Sequence, residues 1–397
     1  MDYNPNTYCV MAHRGLFIQP DKKVKPCCVF GNFDEDLYYD SKMSFDDLFN
    51  SKQFVELRQQ LSQGIKHKGC SGCWSGRTSH REGMNRMYSG DKYNFTPSLK
   101  EDDIFYLDVR ISNLCNFKCR MCNPTYSSAW NDEVVKHNLP IDTQPTEKIV
   151  KESWLTVLEN NLDKVDHIYL GGGEPLIMKE TYELLDCVDS RKEEIQLFIN
   201  TNLSTLKYKN KNILERFYEF KNVYWFLSCD GTRQAGTYQR TGFNVDTFYK
   251  NLDTILNLPT DKTQYNIAYA LTNINIFEFF DTYNDIKSKT GNTDLELNIQ
   301  VVDNPWYYSV RNNSLEFKKK VLSFIDNNIS TISNKHTLLT LQNFKSFINQ
   351  KSTLPSPKTI SKDLKLLQKV DSVRNESLLD IAPWMKKEIQ LWQKQLN

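Results

Sequence analysis

The chain has 397 residues, with 50 Lys plus Arg against 49 Asp plus Glu and a formal charge of +1. Charged residues make up 25% and AVILMFWYC residues 39%, enough apolar content for a sizeable core in two or three domains and too much for wholesale disorder. The balance of charge excludes a globally basic nucleic-acid binder, and no stretch approaches the roughly eighteen consecutive apolar residues of a membrane span. The segment MDYNPNTYCVMAHRGLFIQP has neither a charged region followed by an apolar run nor a cleavage site, so a soluble, cytoplasmic protein is expected.

Residues 1–97 form a cysteine-bearing unit with two predicted helices. One lies in SFDDLF, where Ser44 and Asp47 make a capping box; the other lies in SKQFVELRQQLSQG, where Phe54, Leu57 and Leu61 share a face and Gly64 is a stop. The polar stretch after it, to about Pro97, reads as a linker, and its GRTSHREGMNRMY part reads as a solvated basic segment bearing Arg77, His80, Arg81 and Arg86. Residues 98–310 alternate strands with helices. The strands are IFYLDVRIS (104–112), HIYL (167–170), IQLFIN (195–200), VYWFLS (223–228), YNIAYAL (265–271) and LELNIQVV (295–302). Trp154, Val157, Leu158 and Leu162 mark one intervening helix; Leu184, Leu185 and Val188 mark another. The alternation predicts a parallel α/β array, either an open barrel or a doubly wound sheet. Residues 311–397 read as a helical extension interrupted by STLPSPKT at 352–359, in which Asp371 and Arg374 form an i, i+3 pair of modest helix-stabilising value.

The ten cysteines are the informative residues, eight of them within the first 122 positions. In a reducing compartment such clustering points to metal or iron–sulfur ligation and away from disulfides. Cys115, Cys119 and Cys122 form a C-x3-C-x2-C run after the first strand of the array. On a helix they would be a buried stripe, but Asn113, Asn116 and Pro124 bracket them, and proline disfavours helix at the residue before it. Three thiolates on a loop can hold three irons of a [4Fe–4S] cube and leave the fourth without a protein ligand, the mark of a catalytic site.

The run CNFKCRMC resembles the cysteine motif of the radical S-adenosylmethionine (radical SAM) superfamily, with Phe117 as the aromatic of the spacer. The resemblance implies a partial (β/α)6 barrel whose open iron is chelated by the amino and carboxylate groups of S-adenosylmethionine. In HIYLGGGEPLIM, three glycines at a strand end let backbone approach a ligand, and Glu174 can accept hydrogen bonds from a cationic amine. No G-K-[ST] follows, so this is not a phosphate loop. Gly172, Gly173, Glu174 and Pro175 match the family's G-G-E-P segment, which contacts the methionyl amino group. Thr201 and Asn202 after the third strand, and Ser228 and Asp230 after the fourth, match polar positions facing the cofactor. Cys229, between the last two, points the other way and reads as core. Arg240 in TYQRTG matches an arginine that pairs with the methionine carboxylate, and the Asn275 region resembles the family's fifth strand end.

The first 73 residues resemble the auxiliary-cluster modules called SPASM and twitch domains, here ahead of the barrel and not behind it. Cys9, the Pro26–Cys28 P-C-C, the Leu57–Arg58 segment and the C-x2-C of Cys70 and Cys73 carry that likeness; Asp21–Lys22 stands where a family Asp-Gly is usual. The resemblance implies one auxiliary [4Fe–4S] cluster on Cys9, Cys27, Cys70 and Cys73 with Cys28 spare, although four thiolates in two groups also suit structural zinc. It further implies a flavodoxin or ferredoxin-type reductant, a 5′-deoxyadenosyl radical and hydrogen abstraction from a peptide or protein side chain. A carbohydrate, nucleotide or tRNA substrate is the alternative within the class, and a non-catalytic iron–sulfur scaffold the alternative outside it. No hydrogen-atom donor or catalytic acid–base is assigned.

Overall fold

The computed structural model describes residues 4–19, 21–39, 43–75, 80–88, 106–110, 112–142, 165–258 and 262–396. Its strands are β1 Gly15–Ile18, β2 Lys23–Lys25, β3 Leu37–Tyr38, β4 Tyr106–Val109, β5 His167–Leu170, β6 Gln196–Thr201, β7 Lys207–Tyr208, β8 Lys211–Asn212, β9 Asn222–Ser228, β10 Thr263–Leu271 and β11 Leu297–Val301. Nine of them form one sheet in the order β11-β10-β9-β6-β5-β4-β1-β2-β3, and β7 with β8 makes a small ribbon. From β4 to β11 the strands run parallel in chain order with no reversal. A doubly wound sheet reverses its order at a switch point, so the open-barrel alternative is the one this topology takes.

The N-terminal unit is continuous with that sheet. Strand β1 pairs parallel with β4, placing Phe17 opposite Asp108, and β2 and β3 continue antiparallel from β1. The Asp21–Lys22 turn manages without glycine by placing Lys22 at φ +70°. The helix Lys52–Ser62 buries Phe54, Leu57 and Leu61, and the preceding helix Phe45–Phe49 has the Ser44–Asp47 capping box.

The two faces of the parallel sheet differ. Leu107, Ile168, Leu197, Ile199, Trp225, Leu227, Ile267 and Tyr269 are buried. On this side the Phe217 ring lies edge-on 5.4 Å from Trp225, and Phe279 lies 5.2 Å from Tyr269, each from a flanking helix. The opposite, inner face aligns Asp108 with Tyr169, Asn200 with Phe226, and Phe226 with Asn266. Period-two alternation therefore sends apolar residues to the helices and a mixed polar and aromatic set to the interior.

Two expectations change. Within the stretch read as a linker, His80–Tyr88 is a helix. It packs on the helix Val10–Arg14 because its polar side chains are spent on backbone: Arg81 Nη1 donates to the Tyr8 carbonyl at 3.0 Å and Asn85 Oδ1 accepts from the Val10 N–H at 2.9 Å. Arg81 is thus turned into the unit, its guanidinium 4.9 Å over the Trp74 ring, where a solvated basic segment had been expected. The predicted helix at Trp154–Leu162 and the sites Arg77, Phe105 and Ile111 lie outside the described residues. The C-terminal extension is helical as expected, with helices Leu315–Asn328, Lys335–Ile348, Pro357–Arg374, Leu378–Ile381 and Met385–Gln393. The Pro/Ser/Thr-rich interruption supplies the start of the third: Ser356 caps it and Pro357 takes its first position. No helix among the described residues is long and apolar enough to cross a membrane.

Candidate functional site

Residues 112–127 form an irregular loop leaving the end of β4, not a helix carrying a cysteine stripe. Its backbone is tied at many points. Ser127 Oγ donates to the Phe117 carbonyl at 2.6 Å, Trp130 Nε1 to the Cys119 carbonyl at 2.7 Å, and Asn113 Nδ2 to the Pro124 carbonyl at 2.9 Å. The Glu174 N–H donates to the Leu114 carbonyl at 2.8 Å and the Gly173 N–H to the Ser112 carbonyl at 3.2 Å. These bonds need glycine. A Cβ on Gly173 would lie 2.1 Å from the Leu114 carbonyl oxygen, and Gly172 has φ +105°. The tri-glycine turn lets the strand end close on the cysteine loop.

Cys115, Cys119 and Cys122 are half-buried and act on one another electrostatically. Burial raises all three thiols, Cys122 to about 12. Opposing cations are close: Arg240 Nη1 lies 3.9 Å from Cys119 Sγ, and the charge of Arg110 acts on Cys122. Neighbouring, partly buried thiols of this kind are ionised by a metal and are costly to ionise without one, so the donor set fits a cluster held on three sulfurs. Among the described residues no three His, Cys, Asp or Glu side chains close on a single ion; in a four-iron cube each thiolate takes its own iron.

The other sequence-assigned positions gather around this loop. Glu174 is 1% exposed, and burial pushes its carboxyl up to about 7. Its oxygens accept from Thr201 Oγ1 at 2.7 Å, the Asn202 N–H at 2.6 Å and the Leu176 N–H at 3.1 Å. Pro175 opens the short turn after it. Thr201, on the helix-facing side of β6, thus spends its hydroxyl on Glu174, and Asn202 Nδ2 donates to Asn116 of the cysteine loop at 2.9 Å. Asp230 is fully buried and pairs with Arg240 through Oδ2 and Nε at 2.7 Å; its Oδ1 also accepts the Ala270 N–H at 2.7 Å. Asn275 Nδ2 donates to the Asp230 carbonyl at 2.9 Å, a buried knot at the end of β10. Ser228 Oγ donates to Asn200 Oδ1 at 3.1 Å on the inner face, while Cys229 is buried on the other side.

Sequence reasoning passed over Asn200, Asn266 and the pair Asp108–Arg110. Arg110 grips Asp108 with Nε at 3.1 Å and Nη2 at 3.2 Å, and its guanidinium lies 5.0 Å over Phe17 and 5.5 Å over Tyr169. The signal was available: each is a polar residue at inner parity within a strand or just past its end.

In the N-terminal unit Cys9 and Cys27 are buried, Cys70 and Cys73 half-buried, and Cys28 exposed. Cys73 acts on Cys9, Cys27, Cys28 and Cys70, Cys9 acts on Cys27 and Cys70, and Cys28 acts on Cys27, so all five share one locality. Burial raises Cys9 to about 11 and Cys70 to about 12. The main charges acting on Cys28 are Asp108 and Arg110, at the seam with the barrel. Gly69 makes the fold around the set possible: its carbonyl accepts the Gly31 N–H at 2.7 Å, and a Cβ there would lie 2.3 Å from the Phe30 ring.

Comparison with known proteins agrees with both readings. Residues 109–285 match the Radical SAM superfamily and residues 9–74 match an iron–sulfur cluster-binding domain, SPASM; the second match gives iron–sulfur over zinc. The chain is 27% identical over 180 residues to GTP 3′,8-cyclase of Campylobacter lari, covering 45% of this chain and 50% of that protein. It is 28% identical to the enzyme of the same name from Campylobacter jejuni subsp. doylei, covering 47% and 53%. The chain therefore spans about half the length of these curated relatives. A solved structure described as native anSMEcpe with bound AdoMet overlaps 58% of this chain and 63% of its own, at 18% identity and a TM-score of 0.40. With its cysteine loop packed on a glycine-rich turn and its cysteine-bearing unit built onto the same sheet, the chain carries a Radical SAM superfamily domain over residues 109–285 and a SPASM iron–sulfur cluster-binding domain ahead of it over residues 9–74.

Proposed function

We propose that this protein reductively cleaves S-adenosylmethionine and removes a hydrogen atom from a peptide or protein side chain. The observation that carries the reading is the non-helical loop bearing three mutually interacting thiols, its backbone tied to the Gly172–Glu174 turn. When bound there, the cluster and S-adenosylmethionine supply an electron and a 5′-deoxyadenosyl radical, the hard part of the chemistry.

The chain's own residues hold and orient. Cys115, Cys119 and Cys122 would each take one iron. Glu174 has three of about four acceptor directions filled by Leu176, Thr201 and Asn202, leaving one for the methionyl ammonium. Gly172, Gly173 and Pro175 bring backbone close beside it. Asp230 fixes the Arg240 fork, whose other donors would meet the methionine carboxylate. Asn200, Ser228 and Asn266 on the inner face, with Asp108 and Arg110, would bind substrate beside these groups. Cys9, Cys27, Cys70 and Cys73 would hold a second cluster with every iron occupied, suited to electron transfer. A flavodoxin or ferredoxin-type protein of the cytoplasm would deliver the electron.

The peptide substrate follows by analogy from the auxiliary module. A nucleotide is the second reading, favoured by the name of the curated relatives. Anaerobic incubation with S-adenosylmethionine and dithionite, read as 5′-deoxyadenosine and methionine release, tests the reaction; no release sinks it. Parallel arms with GTP and with cell-extract peptides, followed by mass spectrometry, separate the substrates.

A further inference from the structure

The helical extension after β11 lies beyond both family matches, which end at residues 285 and 74. Yet its third helix, Pro357–Arg374, reaches the cysteine loop through three independent sets of contacts. The first is Arg120, which stands between Cys119 and Cys122 with its side chain 1% exposed. Its guanidinium pairs with Asp371 Oδ1 at 2.6 Å and with Glu376, donates through Nε to the Tyr238 carbonyl at 3.1 Å, and stacks 3.6 Å over the Tyr238 ring. The Tyr238 hydroxyl in turn donates to Asp371 at 2.8 Å.

The second is Arg374, also 2% exposed at its side chain. It pairs with Glu133 at 2.6 Å, donates to Thr241 Oγ1 at 2.9 Å and lies 4.6 Å over the Trp130 ring, whose Nε1 holds the Cys119 carbonyl. The third is apolar: Val370 buries against Trp130, Val134 and Leu139, with Leu366, Val373 and Cys122 packed on the same cluster. All three meet one layer of backbone, in which the Lys118 N–H donates to the Thr241 carbonyl at 2.9 Å and the Arg120 N–H to the Gln239 carbonyl at 2.7 Å. Arg240, between those two carbonyls, is the cation beside Cys119. The Asp371–Arg374 pair expected from the sequence is therefore not how these charges are used: each is spent on a different residue of the core.

We infer that Asp371, Arg374 and Glu376 are positioning residues of the three-cysteine site. They clamp the layer 118–120 and 238–241, and so fix both the thiol spacing and the distance from Arg240 to Cys119. Arg120, Arg374 and Glu133 are buried at their side chains, so removing the partner of any of them strands a charge in a low-dielectric setting. The extension is then part of the cluster site and not an appendage. The inference rests on the cluster reading above for its purpose, and on the contacts alone for its existence.

The test uses the full chain with Asp371→Asn and Glu376→Gln together. In the iron-free protein, amide hydrogen exchange over 113–122 and 238–242 should rise by about tenfold or more, while strands β6 and β9 and residues 9–74 keep their wild-type protection. In the reconstituted protein, the EPR signal of the reduced three-cysteine cluster should change shape, and its iron should pass to a chelator about tenfold faster, with the auxiliary cluster unmoved. Glu133→Gln with Arg374→Gln removes both charges of the other pair, leaving only the partly solvated Lys118 ammonium that Glu133 also holds at 2.5 Å, and should show the same pattern if the first variant folds poorly. Wild-type exchange in the loop with faster exchange only in helix 357–374, in either variant, would overturn the clamp. Iron uptake by the wild-type chain decides the underlying reading separately: absence of iron on Cys115, Cys119 and Cys122 would defeat that reading, and the iron-free exchange result would still decide the clamp.

Discussion

The two cysteine sets are built over different sequence distances. The N-terminal set is held mainly by its own unit, with Gly31 on Gly69, Phe30 over Gly69, and Asn85 and Arg81 on the backbone of residues 8–10; one distant tie, Gln350 Nε2 to the Ser75 carbonyl at 2.7 Å, adds to these. The three-cysteine loop is short, yet its supports come from residues 173–174, 238–241 and 371–376, with Arg120 and Glu376 standing 256 positions apart. The first set is a local motif; the second is a local motif in a long-range frame. A loop so framed is set only when the whole barrel and the extension are in place, which suits a site that must meet a cofactor on several strand ends at once.

The strongest way to break this comparison is to remove one set at a time. Replacing Cys115, Cys119 and Cys122 by Ala should abolish 5′-deoxyadenosine formation and lower iron from about eight to about four per chain. Unchanged deoxyadenosine would end the radical SAM reading of the loop. Replacing Cys70 and Cys73 by Ala should also leave about four irons, yet retain unproductive cleavage of S-adenosylmethionine while substrate turnover stops. If both activities vanished together, the two sets would not be separable.

Smaller changes sharpen the contrast. Gly173→Ala forces a Cβ to within 2.1 Å of a backbone oxygen, whereas Gly69→Ala meets the Phe30 ring at 2.3 Å. A ring can turn and a backbone carbonyl tied into a loop cannot. Both should destabilise the chain, by about 1–3 kcal/mol, with Gly173→Ala the costlier in thermal or urea unfolding; the reverse order would show that the N-terminal set is the more tightly packed. The last effect, silent at neutral pH, concerns His167, stacked between Tyr106 and Phe198 in the barrel. Burial, with the nearby Lys221 charge, lowers its pKa from 6.5 to about 3. A depressed histidine contributes stability that is present above the unfolded value and lost as pH falls from about 6.5 towards 3, at no more than about 1.4 kcal/mol per unit. His167→Phe should flatten that limb of the pH profile for barrel unfolding; an unchanged slope would place the acid sensitivity elsewhere.

Much of this protein was decided by local sequence. Period-two alternation set the strands, because a face against helices must be apolar; Ser44 with Asp47 marked a helix start, because end groups need partners within one turn. Asn113, Asn116 and Pro124 kept the cysteines off a helix, and three glycines announced a close approach. Alternation by itself left open barrel and doubly wound sheet both standing; the family resemblance implied the barrel and the strand order bears it out, since that order is a matter of which edges meet. The tertiary structure alone turned a presumed linker into the helix His80–Tyr88, because polar side chains find backbone partners that sequence does not display. Asp371 and Arg374 show the limit most clearly. Read in one dimension they are neighbours on a helix; in three, Arg374 meets Glu133, 241 residues away, and Asp371 meets Arg120, because a charge taken into the core without a partner is far costlier than an unpaired one on a solvated helix face.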